Sequence, residues 1–341
     1  MFSHIPPGPP KPRPTSNIEK GKGVNMKVFV AGATGAIGRR LVPLLSSSGH
    51  EVIAMTHAPA KTDTLRALGA QPVVADGLDR AAVMRAVTEA RPDVVVHEMT
   101  ALRSIKSLSN FDRDLAVTNR LRTEGTEYLI EAAQAAGTRK LVAQSYTGWP
   151  NERAGGRVKT ETDELDNHPP KNSIRTLNAI RKLETLVVNA RDLYGTVLRY
   201  ASFYGPGTSI APDGQIVELV RAHKLPLVGD GAAVWSFLHI DDAANATRIA
   251  IESEGSGVFN IADDDPAEVR IWLPELAKAA GAKPPMHLPA WIGRLVLGES
   301  GLAMMTKIRG SSNAKAKRVL GWQPLFPSWR QGFREMLQQP A

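Results

Sequence analysis

Short apolar runs alternate with amphipathic segments along the first two thirds of the chain. The runs have the length of buried strands, and the segments between them repeat apolar residues at helical spacing. The predicted strands are 27–31, 51–56, 72–75, 93–97, 139–144 and 196–200. The predicted helices are 36–48, 61–68, 79–90, 112–136 and 174–191. Apolar strands that alternate with helices predict an α/β fold built on a doubly wound parallel sheet.

The pattern changes at Gly205-Pro206-Gly207, after which strands and helices no longer alternate regularly. The elements predicted beyond this point are a helix at 215–223, strands at 225–228 and 234–240, a helix at 241–252, a strand at 257–261 and a helix at 267–280, before a basic end rich in Pro and Gly. We expect residues 26–204 to form the sheet domain, with 241–261 returning to it. Residues 205–341 would form mainly a smaller C-terminal α/β cap lobe that binds the substrate. A ligand would lie between the two, outside the carboxyl ends of the strands.

Composition narrows the class of protein. The 341 residues include no cysteine, which excludes disulfides, thiolate metal sites and a cysteine nucleophile, and we predict no metal site. The chain has neither an apolar run long enough to span a membrane nor a secretory signal, so we expect a cytoplasmic protein with no membrane partner. Residues 1–25 are rich in proline and poor in apolar residues, which predicts a disordered tail.

The net charge of +8 raises the question of nucleic-acid binding. The positive excess lies in residues 1–25 and 303–341, and the stretch between them is close to neutral. A duplex-binding protein usually carries its basic residues in one stripe on a folded motif. We therefore expect basic, solvated ends and no nucleic-acid partner.

Three glycines follow the first predicted strand in the pattern G-x-x-G-x-x-G. Gly32 permits a sharp turn, Gly35 lets the backbone approach a pyrophosphate, and Gly38 lets the next helix lie close to the strand. The helix N-terminus then offers unpaired N–H groups to an anion. A plain glycine-rich turn is the alternative, but a strand before it and a helix after it favour a dinucleotide site. The residues assigned to the cofactor at this turn are Gly32, Thr34, Gly35, Ala36, Ile37, Gly38 and Arg39.

Several further segments carry a family resemblance, in the same order along the chain. They are Ala75-Asp76-Gly77-Leu78-Asp79, Val96-His97-Glu98-Met99-Thr100-Ala101, Gln144-Ser145, Leu198 to Gly207, Phe237 to Asp242, Val258-Phe259-Asn260-Ile261 and Leu320-Gly321-Trp322-Gln323-Pro324. Together with the glycine turn, they resemble the extended short-chain dehydrogenase/reductases of the NAD-dependent epimerase/dehydratase family over about residues 27–335. The resemblance implies a Rossmann-type sheet and a pyridine dinucleotide.

The resemblance also implies roles for single residues. Asp76 and Leu78 stand where relatives hold the adenine ring, and Thr100 and Ala101 stand where relatives pass the ribose and phosphates. Ser145 matches the catalytic Ser/Thr that hydrogen-bonds the reacting oxygen.

One further position concerns the substrate side, and four others are read as structural. Ser202 falls where relatives often place an Asn that touches substrate. Arg199, His239, Asp241 and Asp242 look structural, and for His239 packing at the lobe junction is favoured over a role as general base.

The chain departs from the family at its catalytic Tyr-x-x-x-Lys pair. In relatives, the lysine lowers the pKa of the tyrosine so that it can transfer a proton near neutral pH. If Lys182 is the lysine, Asn178 takes the tyrosine position. If Glu184 is the glutamate that relatives often carry four residues after the lysine, the two positions fall on Thr176 and Ile180. Neither alignment supplies a tyrosine, so the chain resembles the atypical members.

Other residues are candidates for the missing functions. Tyr146 and Tyr204 could each replace the tyrosine, with a packed role as the alternative, and we also assign Tyr204 to the substrate side. Arg122 stands where relatives usually have an Asn. It could hold an anionic substrate or a cofactor phosphate, or it could pair with Glu124 or Glu127 on a helix surface.

The segment after the second strand bears on the choice between NAD and NADP. NAD-specific relatives usually carry an acidic residue there for the ribose 2′-OH. Residues 55–61 contain no carboxylate, and His57, Lys61 or Arg39 could attract a 2′-phosphate. The sequence therefore predicts that NADP(H) is preferred over NAD(H), with His57 among the cofactor-binding residues.

Three functions are considered. The leading hypothesis is an NAD(P)H-dependent oxidoreductase that acts on a small organic carbonyl or alcohol. The alternatives are a nucleotide-sugar epimerase or dehydratase, and a non-catalytic regulator that senses dinucleotide. The helices 112–136 and 174–191 carry apolar residues on one side, which is consistent with plain core or with a homodimer interface.

Overall fold

A computed structural model describes residues 25–102 and 110–338 of the chain. Its centre is a sheet of seven parallel strands. These strands are β1 (Lys27–Ala31), β2 (Glu51–Thr56), β3 (Gln71–Val74), β4 (Val94–His97), β5 (Lys140–Tyr146), β6 (Tyr194–Tyr200) and β7 (Gly257–Ile261). Their order across the sheet is β7-β6-β5-β4-β1-β2-β3, and every neighbouring pair is parallel. The predicted α/β fold with a doubly wound parallel sheet is confirmed.

Helices cover both faces of this sheet and build a second lobe. They are α1 (Gly38–Ser47), α2 (Thr62–Ala67), α3 (Arg80–Ala90), α4 (Thr126–Ala135), α5 (Ile174–Val188), α6 (Gln215–Arg221), α7 (Ile240–Glu252), α8 (Val269–Ala279), α9 (Ala290–Thr306) and α10 (Trp329–Gln338). One apolar core lies between the sheet and α1 with α7, and a second lies between the sheet and α3, α4 and α5. Strands that are buried on both faces explain the nearly continuous apolar runs in the sequence.

The prediction of one continuous helix over 112–136 is wrong. The structure has two short helices, Phe111–Asp114 and Ala116–Arg120, then a π-helical turn, Leu121–Gly125, and then α4. The His97 ring at the end of β4 lies 3.1 Å from the Leu121 carbonyl oxygen, through Nε2. A side chain that takes a helix carbonyl as its acceptor disturbs the regular hydrogen-bond ladder. The contact lies at the first residue of the π-helical turn, which no helical periodicity reveals.

The second lobe has its own core, built around aromatic residues. The fully buried Trp272, Trp329, Phe237 and Phe333 pack against one another with ring centroids 5.4–5.9 Å apart in the pairs that touch. The sequence predicts no helix after residue 280, only a basic end rich in Pro and Gly. The structure has α9 and α10 in this region. Helix α9 is kinked at Gly298, whose φ of 70° is left-handed.

Two further expectations concern membrane-spanning helices and the N-terminal tail. No helix within 25–102 and 110–338 is long and apolar enough to cross a membrane. The predicted disordered tail, 1–25, lies outside the described residues apart from its last position.

Candidate active site

The three glycines form a tight turn between β1 and α1. Gly32 has a φ of +96°, and a Cβ on it would come within 2.5 Å of the Glu98 backbone at the end of β4. A Cβ on Gly38 would lie 2.5 Å from the Gly32 carbonyl oxygen. These two positions therefore need glycine for conformation and for close approach. Gly35 is exposed at the top of the turn.

This turn fits the pyrophosphate of a dinucleotide. Helix α1 begins here without any side chain that caps its first N–H groups. Uncapped N–H groups and the helix dipole favour an anion at this point. Thr34 and Ala36 flank the exposed Gly35 and are half-buried, and Ile37 is buried beneath them against the core. Because Gly32, Gly35 and Gly38 carry no side chains, a ligand can come close to the backbone of this turn.

The other residues assigned to the cofactor follow the strands beside β1. Asp76 comes after β3 and is exposed, and its Oδ1 accepts a hydrogen bond of 2.9 Å from the backbone N–H of the half-buried Leu78. Thr100 and Ala101 follow β4 and are half-buried, and the Ala101 N–H donates to Thr118 Oγ1. The carboxyl ends of these parallel strands meet at one edge of the sheet, so the assigned residues share that edge.

The three basic residues considered for a 2′-phosphate are exposed. His57 and Lys61 follow β2, whereas Arg39 lies in the first turn of α1 with its guanidinium near Gly207. Thr56, the last residue of β2, is buried and accepts a hydrogen bond of 3.1 Å from the Ala58 N–H through its hydroxyl. Arg40 points elsewhere and pairs with Asp241 on α7.

A buried charged cluster lies under the carboxyl end of β5. Ser145 and Arg199 are paired residues of β5 and β6, so their side chains leave the sheet on the same face. Both meet Glu184 of α5: the Ser145 hydroxyl donates to Oε1 at 2.7 Å, and Arg199 donates to both carboxylate oxygens at 2.8 and 2.6 Å. The Ser145 hydroxyl proton is therefore engaged by Glu184. To donate to a substrate oxygen, as the resemblance implies, Ser145 would have to leave this bond.

Tyr146 follows at the end of β5 and reaches the cleft between the lobes. Its hydroxyl lies 2.9 Å from Ser202 Oγ, so two of the predicted site residues are in direct contact. Burial raises the pKa of Tyr146, and the Ser202 hydrogen bond and the positive charge of Arg122 act in the opposite direction.

Two adjoining small hollows, partly open to solvent, lie beside this pair. They share Trp149, Met304 and Ile308 as walls, and Tyr146 and Ser202 line the second. The cap residues that line them could not be found from sequence, because a lone Met or Ile carries no motif.

Arg122 lies in the π-helical turn and is only 8% exposed. Its Nη1 atom is buried and has no hydrogen-bond partner. The pairing considered for it is wrong, since Glu124 pairs with Arg120 and Glu127 pairs with Lys182. Arg122 instead faces Glu184 and Tyr146, whose charges raise its pKa, although burial is the larger effect and lowers that pKa to about 10.

Helix α5 has one buried face and one exposed face. Thr176, Ile180 and Glu184 are buried on its inner face, whereas Asn178 and Lys182 are exposed. This arrangement agrees with the alignment anchored on Glu184. Thr176 donates its hydroxyl to Asp112 at 2.6 Å, and Ile180 is packed in a small cluster against Tyr146.

Tyr204 does not reach the cleft. Its side chain is fully buried, and its ring packs edge-on against His239 and Phe333 at centroid distances of 5.1 and 5.4 Å. Its hydroxyl is buried without a hydrogen-bond partner. The structure therefore places it in the core of the second lobe, against both roles suggested for it, because the sequence motif around it does not reveal which strand residues point inward.

Two buried residues at the end of β4 were not singled out by the sequence analysis. Burial lowers the pKa of His97 to about 4, so the ring is neutral, and it accepts from the Met99 N–H through Nδ1 while Nε2 contacts Leu121. Burial raises the pKa of Glu98 to about 8, and its carboxyl accepts a hydrogen bond from the Tyr200 hydroxyl at 3.1 Å. Both lie directly behind the glycine turn.

The comparison with protein families matches this architecture. The model of the NAD-dependent epimerase/dehydratase family matches residues 28–262. The chain belongs to this family. Members of this family bind NAD(P), and the glycine turn fits that cofactor. When bound, its nicotinamide ring gives or takes a hydride.

Known proteins similar to this member of the family include reductases and epimerases. A "3-diazoavenalumate denitrifying reductase" of Streptomyces sp is 46% identical over 308 residues, which are 90% of this chain and 99% of that one. A "2-alkyl-3-oxoalkanoate reductase" of Stenotrophomonas maltophilia is 28% identical over 75% of this chain and 76% of that one. The crystal structure of a UDP-glucose 4-epimerase from Thermotoga maritima has a TM-score of 0.73 and 23% identity, and covers 92% of this chain and 98% of that one. The chain is an NAD(P)-dependent oxidoreductase of this family.

Proposed function

We propose that the chain is an NADPH-dependent reductase of small carbonyl compounds with an aromatic body. The observation that carries this proposal is the Tyr146–Ser202 hydroxyl pair in the wall of the cleft. Trp149, Trp235 and Met304 line the same space and offer apolar faces to a flat ring. A 28% identical relative is named as a reductase of an oxo acid, which supports a carbonyl as the reacting group.

In this proposal Tyr146 is the proton donor and Ser202 orients its hydroxyl. A carbonyl that gains a hydride at carbon needs a proton at oxygen, and general acid catalysis typically contributes about 10²–10⁴ in rate. Helix α5 supplies only Thr176 and Ile180 in the usual positions, and neither side chain titrates usefully. Ser145, through Glu184, holds the end of β5 in place and orients the substrate oxygen only if its hydroxyl turns toward the cleft.

We propose NADPH rather than NADH as the preferred cofactor. His57 and Lys61 are exposed after β2, where residues 55–61 offer no carboxylate, and Arg39 is exposed in the first turn of α1. Charged hydrogen bonds contribute about 1.5–3 kcal/mol each, so one contact to a 2′-phosphate would favour NADPH about 10-fold or more. Calorimetric titration with NADPH and NADH measures both dissociation constants, and a lower value for NADH would contradict the preference.

The reductase is tested by following NADPH oxidation at 340 nm with a panel of aromatic aldehydes, aromatic ketones and enones. Tyr146→Phe should reduce kcat about 100-fold or more. Tyr194→Phe is the matched control, because Tyr194 is 66% exposed on β6 and far from the cleft. Turnover that persists in Tyr146→Phe would refute the assigned proton donor. UDP-glucose in the same panel tests for epimerisation without net loss of NADPH.

Reductive removal of a diazo group is the second candidate function. The relative that is 46% identical is named as a denitrifying reductase of a diazo compound. In such a reaction on an aryl diazonium, a hydride forms a C–H bond at the ring carbon, and the C–N bond breaks so that its electron pair leaves with N2. No proton is transferred to the substrate. This balance would explain why a chain can dispense with the Tyr-x-x-x-Lys pair.

One variant distinguishes the two candidates. A diazonium derivative of a hydroxycinnamic acid is incubated with the protein and NADPH, and N2 release is measured by mass spectrometry against NADPH oxidation. Denitrification predicts one N2 for each NADPH, with Tyr146→Phe nearly as active as the unmodified protein. Carbonyl reduction predicts no N2 above the enzyme-free background.

We also propose a cytoplasmic homodimer that pairs through the outer faces of 112–136 and 174–191. Val117, Ile174 and Val188 are apolar and exposed on these elements, which supports an interface there. Light scattering that gives the mass of one chain at micromolar concentration would contradict the dimer.

A further inference from the structure

A buried cation lies beside Tyr146 on an element that the usual catalytic pair does not use. Arg122 is 8% exposed, and its Nη1 atom has no hydrogen-bond partner in the described structure. Buried guanidinium groups are almost always paired, because an unpaired charge loses its hydration without compensation. Packing alone therefore does not explain why a buried arginine with an unpaired Nη1 atom occupies this position.

Arg122 lies in the π-helical turn, and its side chain is buried there. The extra residue in this turn changes the direction of the side chains that follow the His97 contact at Leu121. The neighbours Arg120 and Glu124 point outward and pair with each other at the surface. Arg122 points inward, toward Tyr146 and Glu184.

Among the described residues, Arg122 is the cation whose charge acts on Tyr146, and its Nη1 atom has no hydrogen-bonded counter-ion. Glu184 already accepts both guanidinium hydrogen bonds of Arg199 and the hydroxyl of Ser145. The face of α5 against Tyr146 is apolar and presents Ile180 and Leu177, and the cap presents Trp235 and Met304. Within residues 25–102 and 110–338, Ser202 is the one residue that hydrogen-bonds to the Tyr146 hydroxyl.

We propose that Arg122 is a positioning residue that stabilises the ionised form of Tyr146 and so replaces the lysine of the usual pair from a different element. The tyrosine has moved from α5 to the end of β5, the lysine position on α5 holds Ile180, and the cation comes from the π-helical turn. This inference rests on the proposed carbonyl reduction.

The proton balance of the step is simple. The carbonyl carbon gains a hydride from the reduced dinucleotide, the electron pair of the C=O π bond moves to oxygen, and that oxygen takes the phenolic proton of Tyr146. The O–H bond of Tyr146 breaks, and the negative charge left on its oxygen faces the guanidinium of Arg122. Water that enters the cleft returns a proton to Tyr146 after the product leaves.

Titration of Tyr146 itself tests the inference without any substrate. The full chain is labelled with 3-fluorotyrosine, which lowers the pKa of every phenol, and the ¹⁹F signal of Tyr146 is assigned from Tyr146→Phe. Arg122→Met should raise the pH midpoint of this signal by about one unit or more, and Arg122→Lys should leave it near the unmodified value. Arg120→Met is the matched control, because Arg120 is an exposed arginine two residues away.

Kinetics then separate this inference from the proposed function. With a reducible carbonyl compound, Arg122→Met should lower kcat about 10- to 100-fold and move the alkaline limb of the pH profile to higher pH, and Arg122→Lys should restore most of both. An unchanged ¹⁹F midpoint in Arg122→Met overturns the inference even if carbonyls are reduced. Failure to reduce any carbonyl overturns the proposed function, whatever the midpoint. If Arg122→Met does not fold, Arg122→Gln removes the charge in its place.

Discussion

Glu184 gives the sharpest prediction about stability, because it joins three elements under the candidate site. Its carboxylate accepts hydrogen bonds from Ser145 on β5 and from Arg199 on β6, and both ion-pair side chains are 8% exposed. Arg122 faces the same carboxylate. Glu184→Gln would therefore leave the buried guanidinium group of Arg199 without its counter-charge.

The expected loss follows from that burial. Removing one partner of a buried ion pair costs about 3–5 kcal/mol, because the other charge stays buried and unpaired. The whole stability of a protein is about 5–15 kcal/mol, so a fifth or more of it is at stake. With a urea m-value of about 3 kcal/mol/M, the midpoint should fall by about 1 M or more.

Urea unfolding followed by circular dichroism measures this shift. Glu124→Gln is the matched control, since Glu124 belongs to an exposed pair with Arg120 that should contribute about 0.5 kcal/mol or less. If Glu184→Gln loses no more stability than Glu124→Gln, the buried cluster does not hold these elements together and our interpretation of the site is wrong.

Three other substitutions test separate parts of the structure. Gly38→Ala places a Cβ 2.5 Å from the Gly32 carbonyl oxygen, so calorimetry should show at least about 10-fold weaker NADPH binding, whereas Gly156→Ala, in an open loop, should bind normally. His57→Asp introduces a carboxylate after β2 and should reverse the preference toward NADH; an unchanged ratio of the two dissociation constants would exclude His57 from the ribose site. Burial raises the pKa of Glu98 from a usual 4.5 to about 8, so the folded protein keeps a proton that the unfolded chain releases. The free energy of unfolding should therefore fall by up to about 1.4 kcal/mol per pH unit between pH 4.5 and 8. Glu98→Gln should flatten that slope in urea unfolding at several pH values, and an equal slope would refute the assignment.

The sheet could be predicted from sequence because its signal is local. Each strand from β1 to β6 is a compact apolar run, and the turn after β1 needs glycine at Gly32 and Gly38 for reasons of conformation and space alone. The family segments then fixed the order of the elements.

Contacts between distant residues could not be predicted in the same way. The break at Leu121 depends on a ring from β4, which lies 24 residues earlier in the chain. The inward direction of Arg122 depends on that break, so the helical spacing suggested pairing with Glu124 or Glu127 instead. Helix α9 carries exposed apolar residues such as Trp291 and Leu295 next to its buried wall, and this mixture hides its periodicity.

Tyr146 shows how a site can be recognised only in part. Its position next to Ser145 made it a candidate, but its contact with Ser202 needs the geometry of both strands. The residues of α5 gave two alignments that sequence alone left open. Burial of Thr176, Ile180 and Glu184 on one face distinguishes them.

Binding of NADPH to the purified full chain tests the central claim most directly. We expect calorimetry to show saturable binding of one NADPH per chain, with a dissociation constant in the micromolar range and a marked loss of affinity in Gly38→Ala. If neither NADPH nor NADH produces saturable heat in the folded protein, the glycine turn is not a dinucleotide site, and the reductase chemistry built on it is wrong.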